Sequence, residues 1–112
     1  MSESAPIPFV SVLRTRGEPA KLGSQSGPVL HLRAQVLEAW DAIRIDADPS
    51  ATVRDLKHLA LKELYPDVRH EDEYVVKLNG FEILDEDAPI AATAATNGST
   101  FLITDRRRRP VE

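Results

Sequence analysis

Three histidines and two acidic runs are the groups of this 112-residue chain that metal binding or catalysis would use first. His31, His58 and His70 do not have the spacing of ligands in a zinc site. The acidic runs at 67–73 and 82–87 lack the alternating oxygen ligands of a calcium loop. The chain has no cysteine, which excludes thiolate ligands, disulfides and cysteine catalysis. We therefore expect no bound metal ion.

The other common catalytic motifs are also missing from the sequence. It has no glycine-rich phosphate loop, no nucleophile elbow and no serine with a plausible base nearby. The sequence predicts a protein that is not an enzyme, with no catalytic residue and no cofactor. No apolar run reaches the roughly 18–20 residues that span a bilayer, and the N-terminus does not resemble a signal peptide. We expect a cytoplasmic protein that does not bind membranes.

The net charge of −4 is unevenly distributed. Residues 29–104 carry fourteen acidic and seven basic side chains, whereas 106–109 are four consecutive arginines. Because phosphate binding needs a continuous basic surface, we do not expect a nucleic-acid partner. The arginine run is either a solvated tail or a contact for an anionic partner.

Strand-like alternation begins at residue 29. Residues 1–28 are rich in proline, glycine and serine and are predicted to be a flexible leader, in which Ile7–Leu13 could add an edge strand. Apolar and polar residues then alternate from Leu30 to Val36 and from Ile43 to Ala47. These two segments predict a hairpin with one buried face.

A single helix is predicted after the hairpin. Thr52 can cap its first turn, and Asp55 lies near the positive end of the helix dipole. Pro66 favours an end near Tyr65. Apolar residues recur at helical spacing along it, at Val53, Leu56, Ala60 and Leu64.

The rest of the chain predicts strands again. Tyr74 to Leu78 alternates and runs into Asn79-Gly80, a strong hairpin signal, before a short return strand. A helical turn near Ile90 and a last strand near Phe101 follow. We predict an α+β fold, with one helix on one face of a mixed sheet and the last strand in a central position.

Several of these segments resemble ubiquitin. The run at 43–57, with its acidic-Pro-Ser-x-Thr turn, resembles ubiquitin's second strand, turn and helix start. Residues 76–80, 90–95 and 99–103 are similar to its third strand, short helical turn and last strand. The resemblance implies a β-grasp (ubiquitin-like) domain, and we expect a divergent, bacterial member. The expected organisation is a leader at 1–28, the domain at 29–105 and a basic tail at 106–112.

The chain also departs from ubiquitin where ubiquitin is attached and recognised. The stretch that matches the Gly-Gly tail contains no glycine and includes Pro110, so we do not expect activation of the C-terminal carboxylate. Lys77 and Thr104 replace parts of the apolar recognition patch. Phe81 occupies the position of the best-known attachment lysine.

These features predict a non-enzymatic module that binds a protein partner, acidic in character, as an adaptor or accessory subunit. Two alternatives remain: a covalent modifier or carrier, and a small effector subunit of a multicomponent enzyme. We expect a monomer that binds through the sheet face opposite the helix or through the arginine tail. The face is either a basic recognition surface or an ordinary solvated one. The candidate binding residues are His31, Arg33, Arg44, Val75, Lys77, Leu102, Thr104, Arg106 and Arg107.

Overall fold

The computed structural model describes residues 19–106, which form a six-stranded mixed sheet and one α-helix that covers one of its faces. The elements are β1 (Ala20–Leu22), β2 (Leu30–Val36), β3 (Asp41–Ala47), α1 (Val53–Leu64), β4 (Tyr74–Leu78), β5 (Phe81–Glu82) and β6 (Thr100–Asp105). Short 3-10 turns occur at Leu37–Ala39, Glu71–Glu73 and Ile90–Ala92.

The strand order is β1-β3-β2-β6-β4-β5. β2 and β3 form the antiparallel hairpin, and β6 lies between β2 and β4, parallel to the former and antiparallel to the latter. This is the central position predicted for the last strand, and the α+β prediction is confirmed. Among residues 19–106, no helix is long and apolar enough to cross a membrane.

The sheet begins before the predicted domain start at residue 29. β1 pairs in parallel with β3, so that Ala20 lies beside Ile45. The Asp48 N–H donates to the Leu22 carbonyl at 2.8 Å, which fastens the end of the strand. Residues 20–22 are therefore part of the sheet and not of a flexible leader. The sequence did not predict β1 because a strand of three residues is too short to show alternation. The other predicted edge strand, Ile7–Leu13, lies outside the described residues.

α1 begins as its sequence predicts. The Thr52 hydroxyl accepts from the Asp55 N–H at 3.1 Å, and the Asp55 carboxylate accepts from the Thr52 N–H at 3.4 Å, which completes a capping box. The buried face of the helix consists mainly of Val53, Leu56, Ala60 and Leu61. Alternate residues of the strands complete this aliphatic core, with Phe101 as its largest fully buried side chain.

A buried lysine joins α1 to the loop that follows β5. Lys57 is only 2 % exposed, and its Nζ lies 2.7 Å from Glu86 Oε1. The same ammonium donates to the Tyr74 carbonyl at 3.1 Å. Next to this ion pair, a backbone hydrogen bond joins the first turn of α1 to the same loop. The Arg54 N–H donates to the Glu86 carbonyl at 2.8 Å. The helix is thus fixed to the loop by charge as well as by packing.

Candidate protein-binding face

The open face, defined here as the side of the sheet opposite α1, carries the candidate binding residues. Leu32, Ala34 and Val36 of β2 are buried in the core, so the residues between them point to the other side. Because the neighbouring strands pair in register, residues beside the exposed positions of β2 also point to the side opposite α1. The open face therefore includes His31, Arg33, Gln35, Arg44, Asp46, Thr100, Leu102, Thr104, Val75 and Lys77.

Two cross-strand pairs occupy one end of this face. Arg33 of β2 lies directly opposite Arg44 of β3, and both side chains are exposed. In the next pair His31 lies opposite Asp46, with 2.9 Å between His31 Nδ1 and Asp46 Oδ1. The sequence prediction that His31, Arg33 and Arg44 share a solvent-facing surface agrees with this arrangement.

A fourth basic residue joins them from β1. Lys21 pairs with Asp46 in the sheet and is exposed, whereas its neighbours Ala20 and Leu22 pack against the core. We call Lys21, His31, Arg33 and Arg44 the basic end of the open face. Lys21 was missed because residues 20–22 were not predicted as a strand, and the alternating burial of that strand is what directs its side chain.

The basic end is concave. A groove of about 460 Å³ runs along it. Pro19, Leu32 and Gly98 line it together with the basic residues His31, Arg33 and Arg44 and the carboxylate of Asp46. Within residues 19–106, Arg33 has no carboxylate within 4.0 Å. This end of the face therefore offers positive groups around a depression that can take side chains.

The opposite end of the open face differs from the prediction. Val75 is 1 % exposed and Thr104 is 5 % exposed, so neither presents its side chain to a partner. The Thr104 hydroxyl donates to Glu38 Oε2 at 3.0 Å, and the Asp105 N–H donates to the same oxygen at 3.0 Å. Glu38, from the 3-10 turn after β2, thus folds its carboxylate onto this end of the sheet.

An ion pair also crosses this region. Arg106 Nη2 lies 3.3 Å from Glu82 Oε2, and the pair bridges β4, the strand that carries Val75. Lys77 and Leu102, which face each other on β4 and β6, are half-buried. We call Glu38, Val75, Glu82, Thr104 and Arg106 the closed end. Arg107, the last candidate binding residue, lies outside the described residues.

Two shifted pKa values occur in the loop before α1 and in the first turn of α1. The Arg54 guanidinium donates to Asp87 at 3.0 Å, and this bond together with the Asp87 charge raises the pKa of Arg54. The N–H and hydroxyl of Ser50 both donate to the Asp48 carboxylate at 2.9 Å and lower its pKa. The Asp48 bonds lie within one turn, whereas the Arg54–Asp87 bond links α1 to the loop after β5, so both contacts support the fold around the helix.

The described residues contain no metal-binding cluster. No group of three histidine, cysteine or acidic side chains between 19 and 106 is arranged to hold an ion. His58 Nδ1 lies 3.1 Å from Glu71 Oε2, a contact that links α1 to the following 3-10 turn. His31 instead contacts Asp46, so the two histidines serve separate parts of the surface.

Solved structures with this architecture are ubiquitin-like. The ubiquitin-like domain of an Arabidopsis thaliana protein is 14% identical with a TM-score of 0.58, covering 80% of this chain and 92% of its own. Caldiarchaeum subterraneum ubiquitin is 12% identical with a TM-score of 0.59, covering 74% and 96%. A protein designed on the basis of ubiquitin is 20% identical with a TM-score of 0.59, covering 78% and 100%.

No protein-family model matches the chain, and no curated protein matches it. The structural likenesses and the mixed sheet with its single covering helix together show the fold. The chain has a ubiquitin-like β-grasp fold, as the resemblance at 43–57 and the following strands predicted.

Proposed function

We propose that this protein is a non-enzymatic ubiquitin-like interaction module, an adaptor or accessory subunit, that binds an acidic protein partner without forming a covalent bond. It acts as a monomer in the cytoplasm, and the partner docks on the basic end of the open face. This assigns recognition to Lys21, His31, Arg33 and Arg44, and it moves the predicted site away from Val75 and Thr104.

The placement of Arg33 directly opposite Arg44 is the observation that carries the proposal. Like charges in opposite positions of an antiparallel pair destabilise the sheet. Both side chains are exposed, so they do not repay this cost by filling the core. Arg33 has no carboxylate within 4.0 Å among residues 19–106, so an acidic partner that docks here can pair with this guanidinium.

The surrounding charge supports the same role. The segment 29–104 holds twice as many acidic as basic side chains, fourteen against seven. The acidic connection at 67–73 follows α1, whereas the basic end lies on the far side of the sheet. Such separation orients an approaching acidic partner and raises its association rate, with a smaller effect on the dissociation rate.

Charge reversal at the basic end tests the proposal. Full-length protein and an Arg33→Glu/Arg44→Glu variant are used as bait, and captured proteins are quantified by mass spectrometry. Partners of the wild type are then purified, and their affinities are measured by calorimetry. We expect the variant to lose at least about tenfold in affinity, since reversing charges at an interface replaces attraction by repulsion.

A variant with the same change in net charge is the control. Lys62→Glu/Arg69→Glu alters exposed side chains on α1 and in the loop after it, away from the open face. It should keep wild-type affinity, and both variants should keep the wild-type circular dichroism spectrum. Equal loss of affinity in the two variants would assign binding to net charge alone and reject the basic end as the site. Unchanged affinity in the Arg33→Glu/Arg44→Glu variant would also reject it.

A further inference from the structure

We propose that Asn79 is a site of spontaneous deamidation, where water converts the side-chain amide to aspartate and isoaspartate, and that Asn97 is protected from the same reaction. The chain has two Asn-Gly dipeptides, Asn79-Gly80 and Asn97-Gly98, and all four residues are exposed. A Cβ at either glycine would meet no atom within 4 Å, so both turns are open to water. The two sites differ in their hydrogen bonds.

An Asn-Gly dipeptide is suited to this reaction because glycine has no Cβ to obstruct the approach to the preceding side chain. The backbone nitrogen of the glycine attacks Cγ of the asparagine. The N–Cγ bond forms, the Cγ–Nδ2 bond breaks, and the amide nitrogen leaves as ammonia with the proton of the glycine N–H. Water then opens the succinimide ring at either carbonyl, which leaves aspartate or isoaspartate. The reaction consumes only water and adds one negative charge.

At Asn97 both reacting groups are held by β2. The Asn97 Oδ1 accepts from the His31 N–H at 2.8 Å, which fixes the side chain that would be attacked. The Gly98 N–H, whose nitrogen would attack, donates to the His31 carbonyl at 2.7 Å. The next residue, Ser99, accepts at its carbonyl from the Arg33 N–H at 2.9 Å. Attack at Asn97 therefore requires this turn to separate from a strand inside the sheet.

At Asn79 neither reacting group is held. Among residues 19–106, the structure gives no hydrogen-bond partner to the Asn79 side chain or to the Gly80 N–H. These two residues form the turn between β4 and β5, with φ of 56° and 87°. Attack requires Asn79 to rotate out of this left-handed conformation. Because β5 has two residues and lies at the edge of the sheet, the turn can open locally while the rest of the sheet stays paired.

The isoaspartate product releases β5 from β4. In isoaspartate the main chain passes through the former side-chain carboxyl, so the backbone of the turn gains one CH2 group. A turn of two residues joins paired strands only with defined backbone geometry, and the longer turn no longer supports the pairing of β5 with β4. Glu82 of β5 also pairs with Arg106 at 3.3 Å, so the closed end loses this contact as well.

Timed incubation of the full-length protein tests the selectivity. Folded protein and protein in concentrated urea are held at mildly alkaline pH and digested with a protease that cleaves after glutamate, because Glu82 lies between the two dipeptides. Mass spectrometry gives the deamidation rate at each asparagine. The rate in urea divided by the folded rate is the protection at that site, and this ratio removes the intrinsic effect of the neighbouring sequence.

We expect the protection at Asn97 to exceed that at Asn79 by at least about fivefold, because hydrogen bonds to β2 must break before Asn97 can react. Equal protection at the two sites, or greater protection at Asn79, would overturn the proposal.

Hydrogen exchange tests the release of β5. The isoaspartate form is separated by chromatography from aged protein, and Asn79→Asp is the matched control, since it carries the same charge on a normal backbone. The Ile83 N–H, which donates to the Val76 carbonyl at 2.8 Å, should exchange at least about fivefold faster in the isoaspartate form. Equal exchange of this amide in the two proteins would show that β5 stays paired and would reject its release.

Discussion

The two ends of the open face both carry charged residues but hold them differently. At the closed end, Glu38 accepts hydrogen bonds from Thr104 and Asp105, and Arg106 pairs with Glu82 across β4. At the basic end, Lys21, His31, Arg33 and Arg44 lie around Asp46 on three neighbouring strands. The closed end links its charged groups to neighbouring elements by hydrogen bonds and an ion pair, whereas the basic end, among the described residues, exposes more basic than acidic side chains.

This difference teaches that position within the fold decides what a charged residue does. A charge that is buried among hydrogen-bonding partners stabilises the fold and is costly to remove. Substituting an exposed charge changes stability little, so such a substitution tests recognition more than folding. We expect substitutions at buried charges to cost more stability than matched substitutions at exposed ones.

The largest expected loss comes from Lys57→Ala. Removing this lysine leaves the Glu86 carboxylate, 13% exposed, without its contact at 2.7 Å. Breaking a buried ion pair in this way typically costs about 3–5 kcal/mol. Arg54→Ala is the control, because Arg54 also contacts Glu86, at 3.6 Å, but its side chain is 53% exposed. Urea denaturation should show a much smaller loss for Arg54→Ala. Similar losses in both variants would mean that burial does not set the contribution of an ion pair here.

Leu56→Ala tests the packing under α1. Leu56 is fully buried in the core, so the truncation should lower the free energy of unfolding by about 2–5 kcal/mol. Leu84→Ala makes the same change at a side chain that is 83% exposed and should alter stability by less than about 0.5 kcal/mol. Chemical denaturation of both variants gives the comparison, and a loss below about 1 kcal/mol for Leu56→Ala would contradict the helix orientation.

Glu38→Ala tests the closed end directly. The substitution removes the acceptor of the Thr104 hydroxyl and of the Asp105 N–H, at a threonine that is 5 % exposed. We expect a loss of about 1–3 kcal/mol, because donors that stay buried without an acceptor pay their full desolvation cost. Glu82→Ala removes only the more exposed pair with Arg106 and should cost less than about 1 kcal/mol. Thermal melts that rank the two variants in the opposite order would show that the closed end is not held by Glu38.

Gly23→Ala tests how β1 is attached to the basic end. Gly23 has φ +83°, and a Cβ there would lie 2.7 Å from the Asp48 Cβ. The left-handed conformation alone costs an alanine about 1–2 kcal/mol, and the close approach adds to it. Gly27→Ala is the control, since a Cβ at Gly27 meets no atom within 4 Å. The loss of stability in Gly23→Ala should be accompanied by faster hydrogen exchange of the Lys21 and Leu22 backbone amides. Unchanged exchange would show that β1 does not depend on this turn.

Much of the fold could be predicted from the sequence because its signals are local. Alternation at 30–36 and the Thr52 cap specify a strand and a helix start without reference to the rest of the chain. β1 could not be predicted, since three residues carry no period and the strand exists only through its pairing with β3. Lys21 was missed for the same reason.

The candidate site was predicted in part. Strand alternation placed His31, Arg33 and Arg44 on the open face, because each residue's side follows from its neighbours. Alternation could not show that Val75 and Thr104 are buried, since the Glu38 carboxylate that bonds Thr104 comes from the 3-10 turn after β2, 66 residues earlier. Burial on that face is set by tertiary contacts, which a periodic pattern does not contain.

The smallest expected effect is a loss of folding stability in acid, caused by protonation of Asp48. The backbone N–H of this residue fastens the end of β1. The Ser50 N–H, the Ser50 hydroxyl and the Ser24 backbone lower the pKa of Asp48 below its usual value of 3.8. A carboxyl whose pKa is lower in the folded state stabilises the fold above its unfolded pKa. That contribution is lost as the pH falls below about 3.8 and through the folded pKa.

Asp48→Asn keeps an oxygen that accepts from Ser50 but removes the titration. The variant should therefore lose less stability than the wild type between pH 5 and pH 2, measured as the fall in Tm across about that range. Asp67→Asn, an exposed aspartate after α1, is the control and should follow the wild type more closely. Because Gly23 packs against Asp48, protonation should also raise the amide exchange of Lys21 in the wild type. Parallel curves of Tm against pH for the wild type and Asp48→Asn would mean that the charge of Asp48 does not help to hold β1. Lys21 would then keep its position at the basic end in acid.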